Sequence, residues 1–485
     1  MKSIAIVGAG AAGMAAAWSL SQHPEKFKVT VFEAGLACGG VACSLTHDSK
    51  RINYGVQGGA PASHQNTIEL MKYYKMEPVK ARLDVSFGKN QHNWKNYNKS
   101  DLQEKLSSEI KKFGKVLKWV SRFEFVTIFM SIESVLKMFR FSDDFRNRMV
   151  YPLVALFFGT GNATSDVSAA VIARVFNDEN LALFEYDPEY FVSESPENIA
   201  FQDLELFYEK MKSDLENRGN CEFLLKTEVK KVERLDGKVQ VTFGESTKSW
   251  KAGSDQYDEC FVNKDDYPPN TFDNDKEQCL VFDEIILACP ANVSAKIVTD
   301  QSFLEKSILN NVQYFSDLTV THTDETYMRK HYDVDEKAIY YIKTYDNQPE
   351  NVEMGFNLSK YQPMLKQAEN NSNQTVYQTI FLDKGNQNNW TIDEIDNEKI
   401  IDETWWKAFS HTVTHFRKVV PWVWSIQGKR NTWFAGSWVL FNTHDIAICS
   451  GFACAKRLGA SYPFENNSLA KATFDVLMKT SHLKF

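Results

Sequence analysis

"MKSIAIVGAGAAGMAAAWSLSQHPEKFKVTVFEAG", residues 1–35, decides the fold. Ile4–Val7 is a short, apolar, β-branched run, the pattern of a strand buried in a parallel sheet. Gly8, Gly10 and Gly13 follow at G-x-G-x-x-G spacing, with Ala11 and Ala12 between them, and Met14–Leu20 continues as an alanine-rich helix. Val29–Phe32 is a second strand, ending in Glu33 and then Ala34. Gly8 permits a tight turn, Gly10 admits a pyrophosphate to the backbone, and Gly13 lets helix and strand approach closely. The helix N-terminus attracts phosphate charge, and Glu33 is placed to bond a ribose hydroxyl. Strand, glycines, helix, strand and acid in register predict a dinucleotide site. A secretory signal is the rival reading of Lys2 and the residues after it, but the glycines break the apolar core that such a signal needs.

At 485 residues the chain can bury a large core and is expected to hold two domains. A net charge of −8 and a pI of about 5.8 argue against nucleic acid as a partner. Outside the glycine motif of residues 3–24, every window of about 18 residues carries a charge, so no membrane span is expected. The most apolar candidate, "FVTIFMSIESVLKMF" (125–139), carries Glu133 and Lys137 and reads as one amphipathic helix. Peripheral contact with a membrane stays open, as does the oligomeric state. Eight cysteines without C-x-x-C point to reduced thiols and a cytoplasmic location. Cys449 and Cys454 read as small packing residues. There is no H-E-x-x-H, no G-x-S-x-G and no calcium-loop spacing, so no metal is expected.

Further segments extend the N-terminal pattern. "AGLACGGVACS" supplies Gly39-Gly40 after the acid, and "INYGVQGGAP" (52–61) is a second glycine-dense loop. "CEFLLKTEVKKVERLDGKVQVTF" (221–243) reads as strand, Asp-Gly turn and strand, and "VFDEIILACPANV" (281–293) as a strand returning to the sheet. Near the end, "NTWFAGSWVLFNTHDIAICSGFACAKRLGA" (431–460) offers a last strand at Trp433–Ala435 and a helix from about Asp445. In this order the segments resemble the flavin-containing amine oxidoreductases. Within that superfamily "SIESVLKMFRFSDDFRNRMVYPLVALFFGTG" (131–161), "LTVTHTDETYM" (318–328), "MGFNLSKYQP" (354–363) and "SIQGKRNTWFAGSW" (425–438) are similar to FAD-binding proteins associated with cyclopropane fatty-acid synthases.

The resemblance implies non-covalent FAD, held by Gly8, Gly10, Ala11, Ala12, Gly13, Glu33, Ala34, Gly39, Gly40 and Val41. It adds Gly55, Val56, Gln57 and Gly58, with Val229 against the adenine half through its backbone, and Ala288. From the terminal motif it adds Gly436, Ser437, His444, Asp445 and Ile446. The helix there would turn its N-terminus to the flavin pyrimidine, with Asn442 or Thr443 as cap, and stabilise negative charge on reduced flavin. Trp438 and Phe441 are candidate walls of the substrate space. Three departures stand out: Val41 replaces the usual arginine, "PENIAFQDL" (196–204) replaces a glycine pair, and "FNTHD" replaces a glycine with H-E.

The fold class expected is therefore α/β, a Rossmann-type FAD-binding domain (1–85, 220–300, 425–485) with a discontinuous mixed α+β substrate domain (86–219, 301–424). Residues 244–280 are expected to be an inserted hairpin or loop, polar and acidic, and asparagine-rich 368–390 a surface loop. No catalytic constellation stands out. His322 and Asp324 share a strand face as i, i+2 neighbours. Lys343 is a third candidate, by analogy with the lysine that holds a water beside the flavin in amine oxidases. High aromatic content (13%) with apolar stretches such as "FVTIFM" and "PLVALFF" suggests a greasy cavity. The expected activity is hydride transfer to or from an apolar small-molecule substrate such as a fatty acyl chain, as oxidation, desaturation or isomerisation. A peroxide-releasing amine oxidase and a non-catalytic FAD-binding scaffold are the alternatives.

Overall fold

Ile4, Ala5 and Ile6 have no exposed surface because they form the middle of a parallel sheet. The computed structural model describes residues 1–158, 163–177, 184–193, 197–246, 277–345, 348, 351–366 and 374–483. In it β1 (Lys2–Val7), β2 (Phe27–Phe32), β3 (Cys221–Leu224), β4 (Glu284–Leu287) and β5 (Thr432–Phe434) pair in the order β3-β2-β1-β4-β5, every neighbouring pair parallel. Parallel neighbours need crossover connections; here three distant parts of the chain supply the strands. A three-stranded antiparallel layer (227–235, 238–245, 278–282) stands beside this sheet, its first two strands joined across Asp236-Gly237 as the sequence predicts.

Helix α1 (Ala11–Ser21) follows β1 and packs against a later small-faced helix, introduced below as α8. Between them in sequence come α2 (Gln65–Tyr73), α3 (Ser107–Arg122), α4 (Glu124–Thr127), α5 (Tyr151–Phe158), α6 (Ala169–Asn177) and α7 (Leu204–Asn217), and then α8 itself (His444–Leu458). The α1–α8 contact is close because Gly451 stands where a Cβ would lie 2.1 Å from the Ala12 carbonyl oxygen and 2.8 Å from the Ala16 nitrogen. Both obstacles are backbone and cannot rotate away. Gly451→Ala is expected to lower stability by about 3 kcal/mol, the upper end of what overpacking costs. Thermal denaturation checks it; an unchanged Tm would show that the two helices separate at little cost.

A seven-stranded sheet forms the second layer, in the order 400–409, 314–322, 377–381, 352–357, 340–344, 85–87, 94–95. Helices α3 to α6 cover one part of it around their own apolar cluster, which includes Phe113, Phe145, Phe191 and Trp94. The mixed sheet with helices over it agrees with the expected fold class.

Three local expectations are corrected or bounded. Residues 125–139 are not one helix: α4 ends at Thr127, and a new helix begins at Ile132. Ser131 makes the break, its hydroxyl accepting the Ser134 amide proton at 3.1 Å and capping the second helix. Asparagine-rich 368–390 is not wholly a loop, since Tyr377–Phe381 is a strand inside the seven-stranded sheet, buried along most of its length although polar letters flank it on either side. Residues 247–276 and 367–373, which hold most of one expected loop and part of the other, lie outside the described residues.

Candidate functional site

A cavity of about 1260 Å3 opens at the carboxyl ends of β1, β2 and β4. This is where ligands bind in open α/β sheets, because helix N-termini and loop amides converge there. Gly8 makes the first turn with φ +99°, and a Cβ on it would stand 2.8 Å from the Ala288 carbonyl oxygen. Gly10 is the N-cap of α1, which has no side-chain cap and no acid in its first turn, so no side chain of the helix itself occupies its first amides. A Cβ on Gly10 would make only ordinary contact, with the Gly40 Cα at 3.9 Å, and the two glycine loops lie side by side, Gly39 N–H donating to the Ala9 carbonyl at 2.8 Å.

Glu33 is held by two backbone amides, Ala9 N–H at 2.7 Å to one oxygen and Gly35 N–H at 2.7 Å to the other. Burial raises its pKa and these amides pull it back, with burial prevailing. The carboxyl group is thereby oriented on the cavity wall, with lone pairs left for a hydroxyl. Val229 lines the same end of the cavity.

At the other end stands α8. Thr443 is its cap, accepting the Ile446 amide proton at 3.2 Å. Gly436, Ser437, Trp438, Phe441, His444 and Ile446 line the cavity around this helix start. The Gly436 amide is fixed on the Ser450 hydroxyl at 2.8 Å. His444 is locked between the Tyr208 hydroxyl (2.7 Å) and Thr67 (3.2 Å), and burial holds its pKa at about 3, so it is neutral.

Of the residues selected from sequence as cofactor contacts, Gly13 and Asp445 do not line the cavity; the others do. Gly13 is excluded by its own packing, since a Cβ there would lie 1.9 Å from the Gly8 carbonyl oxygen. Asp445 is fully buried and turns away to bind α2: it accepts Thr67 N–H at 2.7 Å, Thr67 O–H at 3.0 Å and the Asn66 amide at 3.0 Å. Desolvation raises its pKa against those bonds and the nearby His64.

The catalytic candidates are also outside the cavity lining. His322 ends its strand and accepts the Asp324 backbone amide proton through Nδ1 at 3.2 Å, while the Asp324 carboxylate caps the next helix through Thr326 and Tyr327. This is a strand-to-helix corner rather than a catalytic pair. Lys343 is spent on buried Glu353, at 2.8 Å.

Other residues line the cavity. His411, 1% exposed, accepts the Asn442 amide proton through Nε2 at 2.9 Å, which puts the ring proton on Nδ1, an atom without a hydrogen-bond partner among the described residues. Desolvation, with His415 beside it, drives its pKa well down and keeps it neutral. It stacks with Phe158 (4.7 Å) and Phe441 (5.5 Å) on the cavity wall. Tyr54 and Trp406 form a second aromatic pair, 5.5 Å apart, and Gln57 is positioned by the Asn53 carbonyl at 2.8 Å and Gln378 at 3.3 Å. Beyond them the wall is apolar: Leu156, Phe157 and Phe158 from α5, Val171 and Val175 from α6, and Met354, Phe356 and Ile380 from the sheet. "PLVALFF" therefore does line the cavity, whereas Phe125, Val126 and Phe129 of "FVTIFM" lie exposed on the outside. His411 and Trp406 carried no motif; only strand pairing of 400–409 with 314–322 brings them here.

Comparison with known proteins agrees with this architecture. Residues 6–74 match the NAD(P)-binding Rossmann-like domain. Among curated proteins no match is found. Among solved structures the chain is similar to a CLA-producing fatty acid isomerase from P. acnes, at 16% identity and TM-score 0.62, over 95% of this chain and 99% of that one. It is similar to putrescine oxidase bound to putrescine, at 11% identity and TM-score 0.60, over 94% and 98% of the two chains. Cyclohexylamine oxidase from Brevibacterium oxydans is a further likeness, at 12% identity and TM-score 0.58, over 98% and 99%. These likenesses establish a shared fold along nearly the whole chain.

Proposed function

We propose that the protein is an FAD-dependent oxidoreductase acting on an apolar, chain-like substrate such as a fatty acyl group. The observation that carries the reading is the single cavity, which runs from the two glycine loops to the aliphatic and aromatic wall of α5 and α6. Its volume of about 1260 Å3 exceeds the roughly 300–1000 Å3 of an ordinary small-ligand pocket. It therefore suits a dinucleotide and a second ligand end to end.

The residues fit non-covalent FAD. The side-chain-free cavity wall of Gly10 and Gly40 and the free amides of α1 suit a pyrophosphate, Glu33 suits a ribose, and the Val229 backbone suits the adenine half. The first-turn amides of α8, at His444 and Asp445, and the positive end of its dipole stabilise negative charge on the ring at that end. When bound, FAD supplies hydride acceptance and return. The chain does the rest. Phe157, Phe158 and Met354 exclude water and hold an aliphatic chain against the ring space, and His411 presents an Nδ1–H beside it. Because His411 stays neutral, it donates a hydrogen bond there without bringing a charge into an apolar wall.

The Tyr54–Trp406 pair favours a second reading, an amine oxidase, since paired aromatic faces stabilise an amine close to oxidation. One anaerobic experiment separates the two. The purified protein is expected to show a flavin spectrum, bleached on addition of a polyunsaturated fatty acid or accompanied by a new conjugated-polyene absorbance without oxygen uptake. Bleaching by amines alone would favour amine oxidation. A colourless protein that FAD does not reconstitute would overturn both.

A further inference from the structure

We infer that the outer face of the α3–α4 region is a docking surface for an anionic lipid bilayer, placed over the apolar end of the cavity. The sequence of α3 carries Lys111, Lys112, Lys115, Lys118 and Arg122 against one acid, Glu109, in a chain whose overall charge is −8. Lys111, Lys115, Lys118 and Arg122 fall at i, i+4, i+7 and i+11, one stripe of the helix, and all four are exposed. The opposite face, with Ile110, Phe113, Val116 and Leu117, is buried in the cap core.

The nearby acids are already occupied. Glu109 accepts from the Ser142 backbone and hydroxyl, Glu124 pairs with Arg174, and Glu133 pairs with Lys137 at 2.6 Å. None of the four stripe cations has a carboxylate partner among the described residues.

The apolar half of the surface begins where α3 ends. Phe125 is 75% exposed and Val126 47%, with Phe123, Phe129 and Met138 also open to solvent. A phenylalanine left that exposed beside other apolar side chains marks a contact surface, because water contact there costs free energy that burial would recover. Exposed Trp422 joins the edge of the patch: its indole donates to the Arg417 carbonyl at 3.1 Å, and Arg417 donates to the Phe129 carbonyl. An aromatic cluster flanked by a cationic stripe suits the bilayer interface, where rings enter the headgroup layer and lysines meet anionic lipids.

The position relates the surface to the cavity. The turn after α4 is tied to the start of α6, with Ser168 donating to the Ile128 carbonyl at 2.8 Å and the Ala169 amide to Met130 at 2.9 Å. Val171 and Val175 of that same α6 line the cavity. The patch and the apolar cavity wall are thus joined through α6, so a bilayer held on the outside lies near the space assigned to an aliphatic substrate. Only this last step rests on the proposed activity; the docking surface itself does not.

The test is sedimentation of the full chain with vesicles, without added FAD or substrate. Phosphatidylcholine–phosphatidylglycerol vesicles are expected to carry the protein down, in a salt-sensitive manner, and pure phosphatidylcholine vesicles to leave it in solution. Lys115→Glu with Lys118→Glu, and separately Phe125→Ser with Val126→Ser, are each expected to lower the bound fraction about tenfold or more, with Tm unchanged. Absence of binding to the anionic vesicles, or binding that both variant pairs leave unaltered, overturns the inference. So does a dimer in solution that Phe125→Ser dissociates, since a second copy would then cover the patch. The fatty-acid titration is done without vesicles, so a failure there leaves the sedimentation result independent.

Discussion

Gly10→Ala is expected to fold normally and to lose FAD, whereas Gly13→Ala is expected to lose much of its stability. The two glycines lie three residues apart in one motif, yet the space around them differs. Gly10 has an ordinary negative φ of −71°, which alanine adopts freely, and its nearest prospective Cβ contact is 3.9 Å away. The added methyl would stand on the cavity wall beside Gly40, against the space assigned to the pyrophosphate. Stability should change by less than about 0.5 kcal/mol, as for a substitution without new clashes. FAD affinity should fall roughly a hundredfold, about 2.7 kcal/mol of binding. At Gly13 the added Cβ would stand 1.9 Å from a backbone oxygen, and no rotamer change relieves that. A cost of about 3 kcal/mol or more is expected, with β1 and α1 forced apart. Thermal denaturation of the apo forms and FAD titration of each variant read the two effects separately. Gly10→Ala protein that binds FAD as tightly as the parent would show that the pyrophosphate does not lie against Gly10.

The largest pH effect is expected from buried histidines. Burial holds His322 at about 4, and His415, His444 and His482 at about 3, against an ordinary value near 6.5. His411 is driven down as well. Since the folded values are the lower ones, their stabilising contribution is complete above the unfolded pKa and is lost as pH falls toward the folded values. At pH 5.5 each refused proton costs about 1.4 kcal/mol, and the four together roughly 5 kcal/mol. That is comparable to the whole stability of an ordinary domain, about 5–15 kcal/mol. Glu33 and Asp445 act in the opposite sense, because burial raises their pKa and acidification relieves a buried charge. Two carboxyl groups return only part of what five histidines lose. Tm is therefore expected to fall steeply between pH 7 and pH 5.5. His482→Phe, at a ring stacked on Trp433 and without hydrogen-bond partners for either nitrogen among the described residues, should make that fall shallower. A flat Tm over this range would mean that these rings take up protons in the folded state.

The first thirty-five residues were legible because their meaning is local. A strand, a turn that requires glycine, a helix start and an acid follow one another at spacings that the backbone itself imposes, and neighbours in sequence there are neighbours in space. The terminal motif was legible for the same reason: Thr443 caps α8 and Gly451 seats it on α1, both within one short segment. The paired acid–base candidates failed because spacing alone does not say where a strand ends. His322 is its strand's last residue, and Asp324 already serves the next helix. The break at Ser131 was hidden by an apolar pattern that continues across it.

Local pattern thus determined that this chain builds a Rossmann sheet and where its glycine loops lie. Tertiary structure alone decided the far half of the cavity: Trp406 and His411, Phe158, and Met354 come from three segments with no shared motif, joined by sheet pairing and helix packing. It also decided that Phe125 faces outward while Phe157 faces in. Both belong to similar apolar runs, and an apolar residue's side is set by what packs against its element, which the run itself does not encode.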